Sequence, residues 1–261
     1  ERVEDADGLL VTTAGDGRTW TSRALVNATG TWSHPFVPRY PGQEVFAGRQ
    51  LHTADYTGPA AFAGERVIVV GGGASAVQLI GEIAPVAEHT TWVTRSAPVW
   101  RTGPFTPEIG REVVARVEER VRAGLPPRSV VSVTGLALRE QEGEAERMGV
   151  YDRRLPMFDH LTDDGAVWPD GTRVGADAIV WATGFRHAVS HLAPLHLRSP
   201  HGGITLDGTT AVADPRVQLV GYGPSASTIG ANRAGRSAAL GVSAVVARGS
   251  SGRRRRHADT R

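Results

Sequence analysis

A glycine-rich turn between a buried strand and a helix constrains the fold of this chain more than any other feature. Residues 66–70 read RVIVV, a short β-branched run typical of a strand buried on both faces of a parallel sheet. A G-x-G-x-x-A turn follows at 71–76, residues 77–84 have the apolar spacing of a helix, and residues 90–94 predict a second strand. This order predicts a βαβ unit, and with it an α/β fold.

The turn has the chemistry of a dinucleotide-phosphate site. Gly71 permits the tight turn, Gly73 lets backbone amides approach a pyrophosphate, and Ala76 lets the helix pack closely on the strand. The start of the helix presents free N–H groups and a partial positive charge. We therefore expect cofactor contacts at Gly71, Gly73, Ala74, Ser75 and Ala76. The alternative is a glycine-rich loop in some other α/β protein.

The end of the second strand indicates which dinucleotide is bound. NAD sites place Asp or Glu there on the ribose 2′-hydroxyl, whereas NADP sites place a basic residue near the 2′-phosphate. Here the strand runs into Arg95 and Ser96 and lacks a carboxylate. Because a guanidinium fork matches a phosphate, these two residues favour NADPH over NADH. Arg95 could instead be an ordinary surface arginine, since the chain has 29 basic residues.

The composition excludes several classes of protein. The chain has no cysteine, which excludes a disulfide framework, a thiolate metal site and a redox-active dithiol. Its histidines are irregularly spaced among prolines near residues 187–201, so we expect no metal site. With no run of 18 apolar residues and no secretory segment, we expect a cytoplasmic protein without a membrane partner.

Most of the positive charge lies at the end of the chain. The net charge is +2, but residues 253–261 alone carry +4, which leaves −2 for the rest. We expect 253–261 to be a disordered, solvated tail rather than a contact for nucleic acid or acidic lipid. The six tryptophans are expected to pack in the core, so we expect no nucleic-acid partner.

Elsewhere the pattern predicts strands and amphipathic helices around a linker. Thr106 and Pro107 form an N-cap pair, and Ile109, Val113, Val117 and Val121 form one stripe of a helix. The other predicted elements are a hairpin at 9–22, a strand at 24–27, a linker at 31–64, a hairpin at 166–174, strands at 177–181 and 217–221, and a Gly/Ala-rich helix at 230–248.

Two of the apolar strands end in the same triplet. Ala28-Thr29-Gly30 ends one of them, and Ala182-Thr183-Gly184 ends the other. Either triplet alone is only a strand ending in a small-residue turn. As a pair flanking a dinucleotide-binding unit, they are a much more specific signal.

These motifs resemble those of the flavin-containing monooxygenase and Baeyer–Villiger monooxygenase group of two-dinucleotide-binding-domain flavoproteins. The resemblance covers nearly the whole chain. Phe46-x-Gly48-x-x-x-His52-x-x-x-Tyr56 resembles the identifying motif of the group. Tyr56 stands where Baeyer–Villiger enzymes have Trp, which favours the flavin-containing monooxygenases, while Thr57 leaves the subclass open. Three other stretches carry the likeness, ATGTWSHPFVPRYPG, VWPDGT…DAIVWATGFR and LVGYGPSASTIGANRAGR.

The resemblance implies a Rossmann-like NADPH-binding domain at 58–185, inserted in a partial FAD-binding domain at 1–57 and 186–252. It implies that the family's own FAD-binding G-x-G-x-x-G unit is missing here, so we expect a fragment without the FAD pyrophosphate site. The further cofactor contacts that it implies are Ala28, Thr29, Gly30, Thr183, Gly184 and Gly230, the last at a helix N-terminus facing the flavin ring.

The resemblance also implies a reaction. In a complete protein of this group, NADPH would reduce FAD, and the reduced flavin and O2 would form a C4a-(hydro)peroxide that transfers one oxygen atom to a small organic substrate. His52 would couple NADPH binding and domain geometry to flavin reduction; the alternative is a linker histidine satisfied by backbone groups. Two other functions stay open, a catalytically silent NADP-binding fragment and a non-dithiol NADPH–flavin reductase.

Overall fold

The structure is a computed structural model that describes residues 1–101, 103, 106–127, 135–226 and 228–258. Within these residues the chain forms two compact units. The first unit comprises Glu1–Ser33, Phe105–Val133 and His187–Arg261, and the second comprises His34–Pro104 and Thr134–Arg186, each so far as it is described. Both units are therefore built from segments that are far apart along the chain.

The elements are numbered here in chain order. The strands are β1 (Arg2–Ala6), β2 (Leu9–Thr13), β3 (Thr19–Ser22), β4 (Leu25–Asn27), β5 (Arg49–His52), β6 (Arg66–Val70), β7 (His89–Val93), β8 (His160–Leu161), β9 (Gly165–Val167), β10 (Arg173–Gly175), β11 (Ala178–Trp181), β12 (Leu206–Asp207), β13 (Thr210–Ala211) and β14 (Val217–Leu219). The α-helices are α1 (Ala74–Ile83), α2 (Pro107–Arg122), α3 (Gly143–Arg147) and α4 (Thr228–Ala258). Single 3₁₀ turns lie at Thr53–Asp55, Pro59–Phe62, Glu140–Glu142, Ser190–Leu195 and Gly223–Ala226.

A four-stranded parallel sheet, in the order β5-β11-β6-β7, forms the centre of the second unit. Trp181 lies opposite both His52 and Val70, and Val70 lies opposite Val93. This register brings the carboxyl ends of all four strands to one edge of the sheet. An antiparallel sheet in the order β10-β9-β8 belongs to the same unit.

The βαβ unit predicted from the glycine-rich turn is present, and the α/β fold is confirmed. β6 has the predicted bounds, and the side chains of Val67 to Val70 are buried as expected for a central parallel strand. The helix begins at Ala74, three residues earlier than the apolar spacing predicted, because Gly73 in extended conformation is its N-cap. β7 is shifted by one residue to His89–Val93.

The prediction of a linker at 31–64 is wrong for two segments. Arg49–His52 form β5, which pairs in parallel with β11, and Pro35 forms an antiparallel bridge with Phe185. β5 is an edge strand whose first two side chains are exposed, so its sequence lacks the apolar run of a buried strand. Residues 34–57 consequently group with the second unit rather than with residues 1–33.

The first unit contains two further sheets and the predicted amphipathic helix. Strands β1, β2 and β3 form an antiparallel sheet, and a second sheet has the order β12-β13-β14-β4, with β14 and β4 parallel. The Thr106 side chain accepts a hydrogen bond from the Ile109 N–H at the start of α2, as its N-cap position predicts. The valines at 113, 117 and 121 are buried, which confirms the predicted stripe. The sequence pattern does not predict β1, which pairs with the first strand of the predicted hairpin, β2.

The last helix is longer than the sequence pattern predicts. α4 runs from Thr228 to Ala258, so the expected disordered tail is helical from 253 to 258, and residues 259–261 lie outside the described residues.

The ion pair of Asp177, which lies just before β11, is expected to make the stability of the fold depend on pH. Its carboxylate accepts hydrogen bonds from Arg66 Nη2 at 2.7 Å, Nε at 3.1 Å and the backbone N at 2.9 Å. These bonds lower the pKa of Asp177 to about 2. Because the folded pKa lies below the unfolded one, the stabilisation is complete above about pH 4 and is lost as the pH falls towards 2. Both side chains are about two-fifths exposed, 42% and 43%, so screening keeps the contribution small.

We expect Asp177→Asn to lower the free energy of unfolding at pH 7 by about 1 kcal/mol. Urea denaturation at pH 7 and pH 3 measures this, and the variant should lose less stability between the two than the unsubstituted protein. Asp163→Asn is the matched control, because Asp163 is exposed and forms no ion pair within the described residues. An equal acid response in both variants would contradict the prediction.

Candidate dinucleotide-binding site

The carboxyl edge of the parallel sheet gathers most of the predicted site residues. β6 connects through α1 to β7 on one side, while β11 lies on the other side of β6. The strand order therefore reverses between β6 and β11, which is where open α/β sheets form their ligand crevice. The turns that follow these two strands contain Gly71 and Thr183.

Gly71 lies where the two turns touch. A Cβ on this residue would be 2.2 Å from the carbonyl oxygen of Ala182, and its φ of +155° is one that residues with side chains rarely adopt. Its N–H donates to Val93 O at 2.9 Å, and its carbonyl oxygen accepts the Trp92 indole N–H at 2.7 Å. The position excludes any side chain, as the motif predicts.

Four consecutive backbone amides, those of residues 72–75, are available to a ligand. None of them has a hydrogen-bond partner among the described residues, and Gly73 provides no side-chain cap for α1. A Cβ on Gly73 would meet no atom within 4 Å, so the space in front of the amides is open. Unpaired N–H groups at a helix N-terminus bind anions, and the arrangement fits a pyrophosphate.

Ala76 explains how α1 approaches the sheet closely. Its side chain is fully buried, at 0% exposure, on the face of the helix that packs on β6 and β7. Gly72, one turn earlier, would place a Cβ 3.8 Å from Thr94, which is ordinary van der Waals contact. Small residues therefore set the packing of the turn and the helix.

The end of β7 presents a cationic turn. Arg95 and Ser96 are exposed, and Arg95 forms no ion pair within the described part of the chain. Thr94 Oγ1 donates to Ser96 O at 2.6 Å, and Arg154 Nη1 donates to Thr94 Oγ1 at 3.1 Å. The turn is thus held by two hydrogen bonds while the Arg95 guanidinium is available to a phosphate.

His52, at the end of β5, is buried at 3% exposure and bonded at both ring nitrogens. Its Nδ1 accepts the Ala54 N–H at 3.1 Å, which places the proton on Nε2, 2.9 Å from Gly184 O. The Phe185 ring packs edge-on at 4.8 Å. These contacts match the alternative interpretation, in which His52 is a linker histidine satisfied by backbone groups. They leave neither ring nitrogen free for acid–base chemistry.

The other positions of the identifying motif also have structural partners. Phe46 is buried in the core, and a Cβ on Gly48 would lie 2.5 Å from Asp177 O. The Tyr56 hydroxyl donates to Glu82 Oε2 at 2.8 Å, and burial, followed by the Glu82 carboxylate, raises the pKa of Tyr56. The motif therefore fixes β5 and its turn against neighbouring elements of the second unit.

The second Ala-Thr-Gly triplet is tied to the segment before β5. Thr183 Oγ1 donates to Phe36 O, and Gly184 O accepts both the His52 Nε2–H and the Phe36 N–H, the latter at 2.9 Å. Gly184 has a φ of +79°, which favours glycine. The triplet is held as one rigid turn beside Gly71.

The first triplet and Gly230 lie in the first unit, so the structure does not gather all the predicted residues in one unit. Ala28 is exposed, and Thr29 Oγ1 donates to Ala188 O at 2.6 Å. Gly30 has a φ of +63° and accepts the Ala188 N–H at 2.9 Å. Gly230 lies in the first turn of α4, where a Cβ would be 2.7 Å from Pro224 O.

Two residues that hold these turns, Trp92 and Arg154, belong to none of the motifs recognised in the sequence. Trp92 was inside a predicted strand, and the need of a buried indole N–H for a hydrogen-bond partner was the signal that could have singled it out. Arg154 lies outside any recognised motif, and only the bridge between Val93 and Leu155 brings it to the end of β7.

No helix among the described residues combines the length and apolar character needed to cross a bilayer. No cluster of three or more histidine, aspartate or glutamate side chains with the arrangement of a metal site occurs in the described ranges.

Comparison with known proteins identifies similar chains. The family model for pyridine nucleotide-disulphide oxidoreductases matches residues 2–222. A flavin-containing monooxygenase structure from Stenotrophomonas maltophilia is 36% identical, with a TM-score of 0.75, and the match covers 94% of this chain and 69% of that one.

Two curated proteins are similar over shorter shares of their length. Cyclohexanone 1,2-monooxygenase from an Acinetobacter species is 39% identical over 93 residues, 36% of this chain and 17% of that protein. The human putative dimethylaniline monooxygenase (N-oxide-forming) 6 is 27% identical over 233 residues, 76% of this chain and 42% of that protein. The chain thus spans less than half of either curated relative.

Proposed function

Because the chain belongs to the flavoprotein monooxygenase group of the pyridine nucleotide-disulphide oxidoreductase family, we propose that it acts in an NADPH- and FAD-dependent monooxygenase. The reaction would insert one oxygen atom of O2 into a small organic substrate. The group uses both cofactors. The observation that carries the proposal is the run of four unpaired amides at the N-terminus of α1, at the end of β6 where the strand order reverses towards β11.

We assign the NADPH site to the second unit. The amides of residues 72–75 would bind the pyrophosphate, with Gly71 and Gly73 leaving room for it and Ala76 setting the helix position. Arg95 and Ser96 would bind the 2′-phosphate, because the guanidinium is exposed and no carboxylate in the described residues neutralises it. This arrangement favours NADPH over NADH.

The remaining predicted residues would position the cofactors. His52 donates to Gly184 O, so it would hold the turn after β11 in the shape that faces the nicotinamide half of the crevice. We propose that Ala28, Thr29, Gly30, Thr183, Gly184 and Gly230 contact the cofactors, FAD among them. When bound, the flavin would supply the redox and oxygen chemistry. The protein would bind and orient the cofactors and the substrate, and would exclude water from them.

The experiment uses the whole chain incubated with FAD. Flavin retained after gel filtration is measured by its visible absorption, and NADPH is then added without oxygen. We expect NADPH to bind. Retained flavin that NADPH bleaches, followed by oxygen consumption and an oxygenated product when air and a ketone or amine are admitted, would support the monooxygenase and would show that the chain forms a flavin site without the missing G-x-G-x-x-G unit.

The outcomes separate the alternatives. Bleaching with no oxygenated product would indicate an NADPH–flavin reductase. NADPH binding without retained flavin would indicate an NADP-binding module. Failure to bind NADPH would overturn the assignment of the site itself.

A further inference from the structure

We propose that Trp92 is a positioning residue, which orients the phosphate-binding amides of the turn after β6. This inference rests on the proposed NADPH site. Trp92 is fully buried, at 0% exposure, and its indole N–H donates to the Gly71 carbonyl oxygen at 2.7 Å. The bond is made to the residue that starts the turn, and nothing in the glycine motif itself provides it.

Because the peptide group is planar, the hydrogen bond to the Gly71 carbonyl also sets the direction of the Gly72 N–H. In a trans peptide the C=O of one residue and the N–H of the next point in opposite directions. Since the Gly71 carbonyl points inward at a buried indole, the Gly72 N–H must point away from it, towards the exposed side of the turn. Trp92 therefore fixes the direction of the first of the four unpaired amides.

Glycine makes such a restraint necessary. Two successive glycines, Gly72 and Gly73, can rotate over a wide range of φ and ψ, and the second has no contact that a Cβ would make within 4 Å. Without a hydrogen bond on its carbonyl, the Gly71–Gly72 peptide could turn its N–H away from the ligand. Amides held in place before the ligand arrives cost no ordering free energy on binding.

The same aromatic cluster also holds the helix. Tyr151 packs edge-on against Trp92 with ring centroids 5.8 Å apart, and its hydroxyl donates to Val77 O in α1 at 2.8 Å. Trp100 completes the cluster, with its ring centroid 5.9 Å from that of Trp92. The cluster defined by Trp92, Trp100 and Tyr151 thus bonds to both the turn and the helix that together present the amides.

Trp92→Phe is the test, because phenylalanine keeps an aromatic ring in the cluster and removes the N–H donor. The smaller ring also reduces the side-chain volume, and the control variant below shares that loss. We expect the dissociation constant for NADPH to rise about tenfold, the equivalent of one lost hydrogen bond. The constant for NADH should rise by the same factor, because both cofactors share the pyrophosphate. Isothermal titration calorimetry of the whole chain measures both.

Trp168→Phe is the matched control. Trp168 is also buried, at 4% exposure, and its indole N–H also donates to a backbone carbonyl, Pro156 O, at 2.8 Å. It lies after β9, and its indole N–H makes no hydrogen bond to the turn. Trp168→Phe should lower the melting temperature as Trp92→Phe does, but it should leave the dissociation constant for NADPH unchanged.

A spectroscopic measurement keeps the inference testable if Trp92→Phe does not fold. In ¹⁵N-labelled protein, the Trp92 indole N–H resonance should shift on NADPH addition, and that of Trp168 should not. An unshifted Trp92 resonance, or an unchanged NADPH constant in a folded Trp92→Phe, would overturn the inference while leaving the proposed function intact. No NADPH binding by the unsubstituted protein would overturn both.

Discussion

Gly71→Ala is expected to destabilise the second unit by about 3–5 kcal/mol and to abolish NADPH binding. The added methyl group would lie 2.2 Å from the Ala182 carbonyl oxygen, which is backbone and cannot rotate away. Either the turn after β6 or the turn after β11 must move. Because both turns form the crevice, the amides of residues 72–75 would lose their common direction. Chemical denaturation and NADPH titration measure the two effects.

Gly73→Ala is the matched variant, because it adds the same methyl group two residues further on. Here a Cβ meets no atom within 4 Å and the φ of −105° suits alanine, so the stability should not change. The methyl group would occupy the space in front of the amides, and NADPH binding should still fall steeply. A Gly73→Ala protein that binds NADPH normally would show that the phosphates do not lie there.

Arg95→Gln is expected to weaken NADPH binding by about 10–100-fold, the range for a hydrogen-bonded charge, and to leave NADH binding unchanged. The reason is that only NADPH carries the 2′-phosphate that the exposed guanidinium would bind. Arg153→Gln is the control, since Arg153 is an exposed arginine near the same edge whose Nη2 donates to Met148 O at 2.8 Å. An NADPH to NADH affinity ratio that Arg95→Gln leaves unaltered would contradict the assignment.

The sequence predicts the nucleotide turn well because its signals are local. β-branched residues at 66–70, glycines at 71 and 73 and apolar spacing in α1 each act on their own neighbours, so the pattern determines the structure directly. The predicted N-cap at Thr106 and the buried valine stripe of α2 are correct for the same reason.

The sequence does not predict the structure where it depends on pairing between segments that are far apart along the chain. β5 has no strand-like pattern, and its conformation comes from its parallel pairing with β11, more than a hundred residues later. The bonds from His52 to Gly184, from Trp92 to Gly71 and from Arg154 to Thr94 depend on strand register in the same way.

The order of strands in the parallel sheet has a consequence for how the protein folds during synthesis. β11 is inserted between β5 and β6, although both are made more than a hundred residues before it. Until residues 178–181 leave the ribosome, each of the two earlier strands has an edge without its neighbour, and Gly71 has no Ala182 to pack against. The glycine-rich turn after β6, encoded early, is therefore expected to reach its final shape only when this late strand enters the sheet.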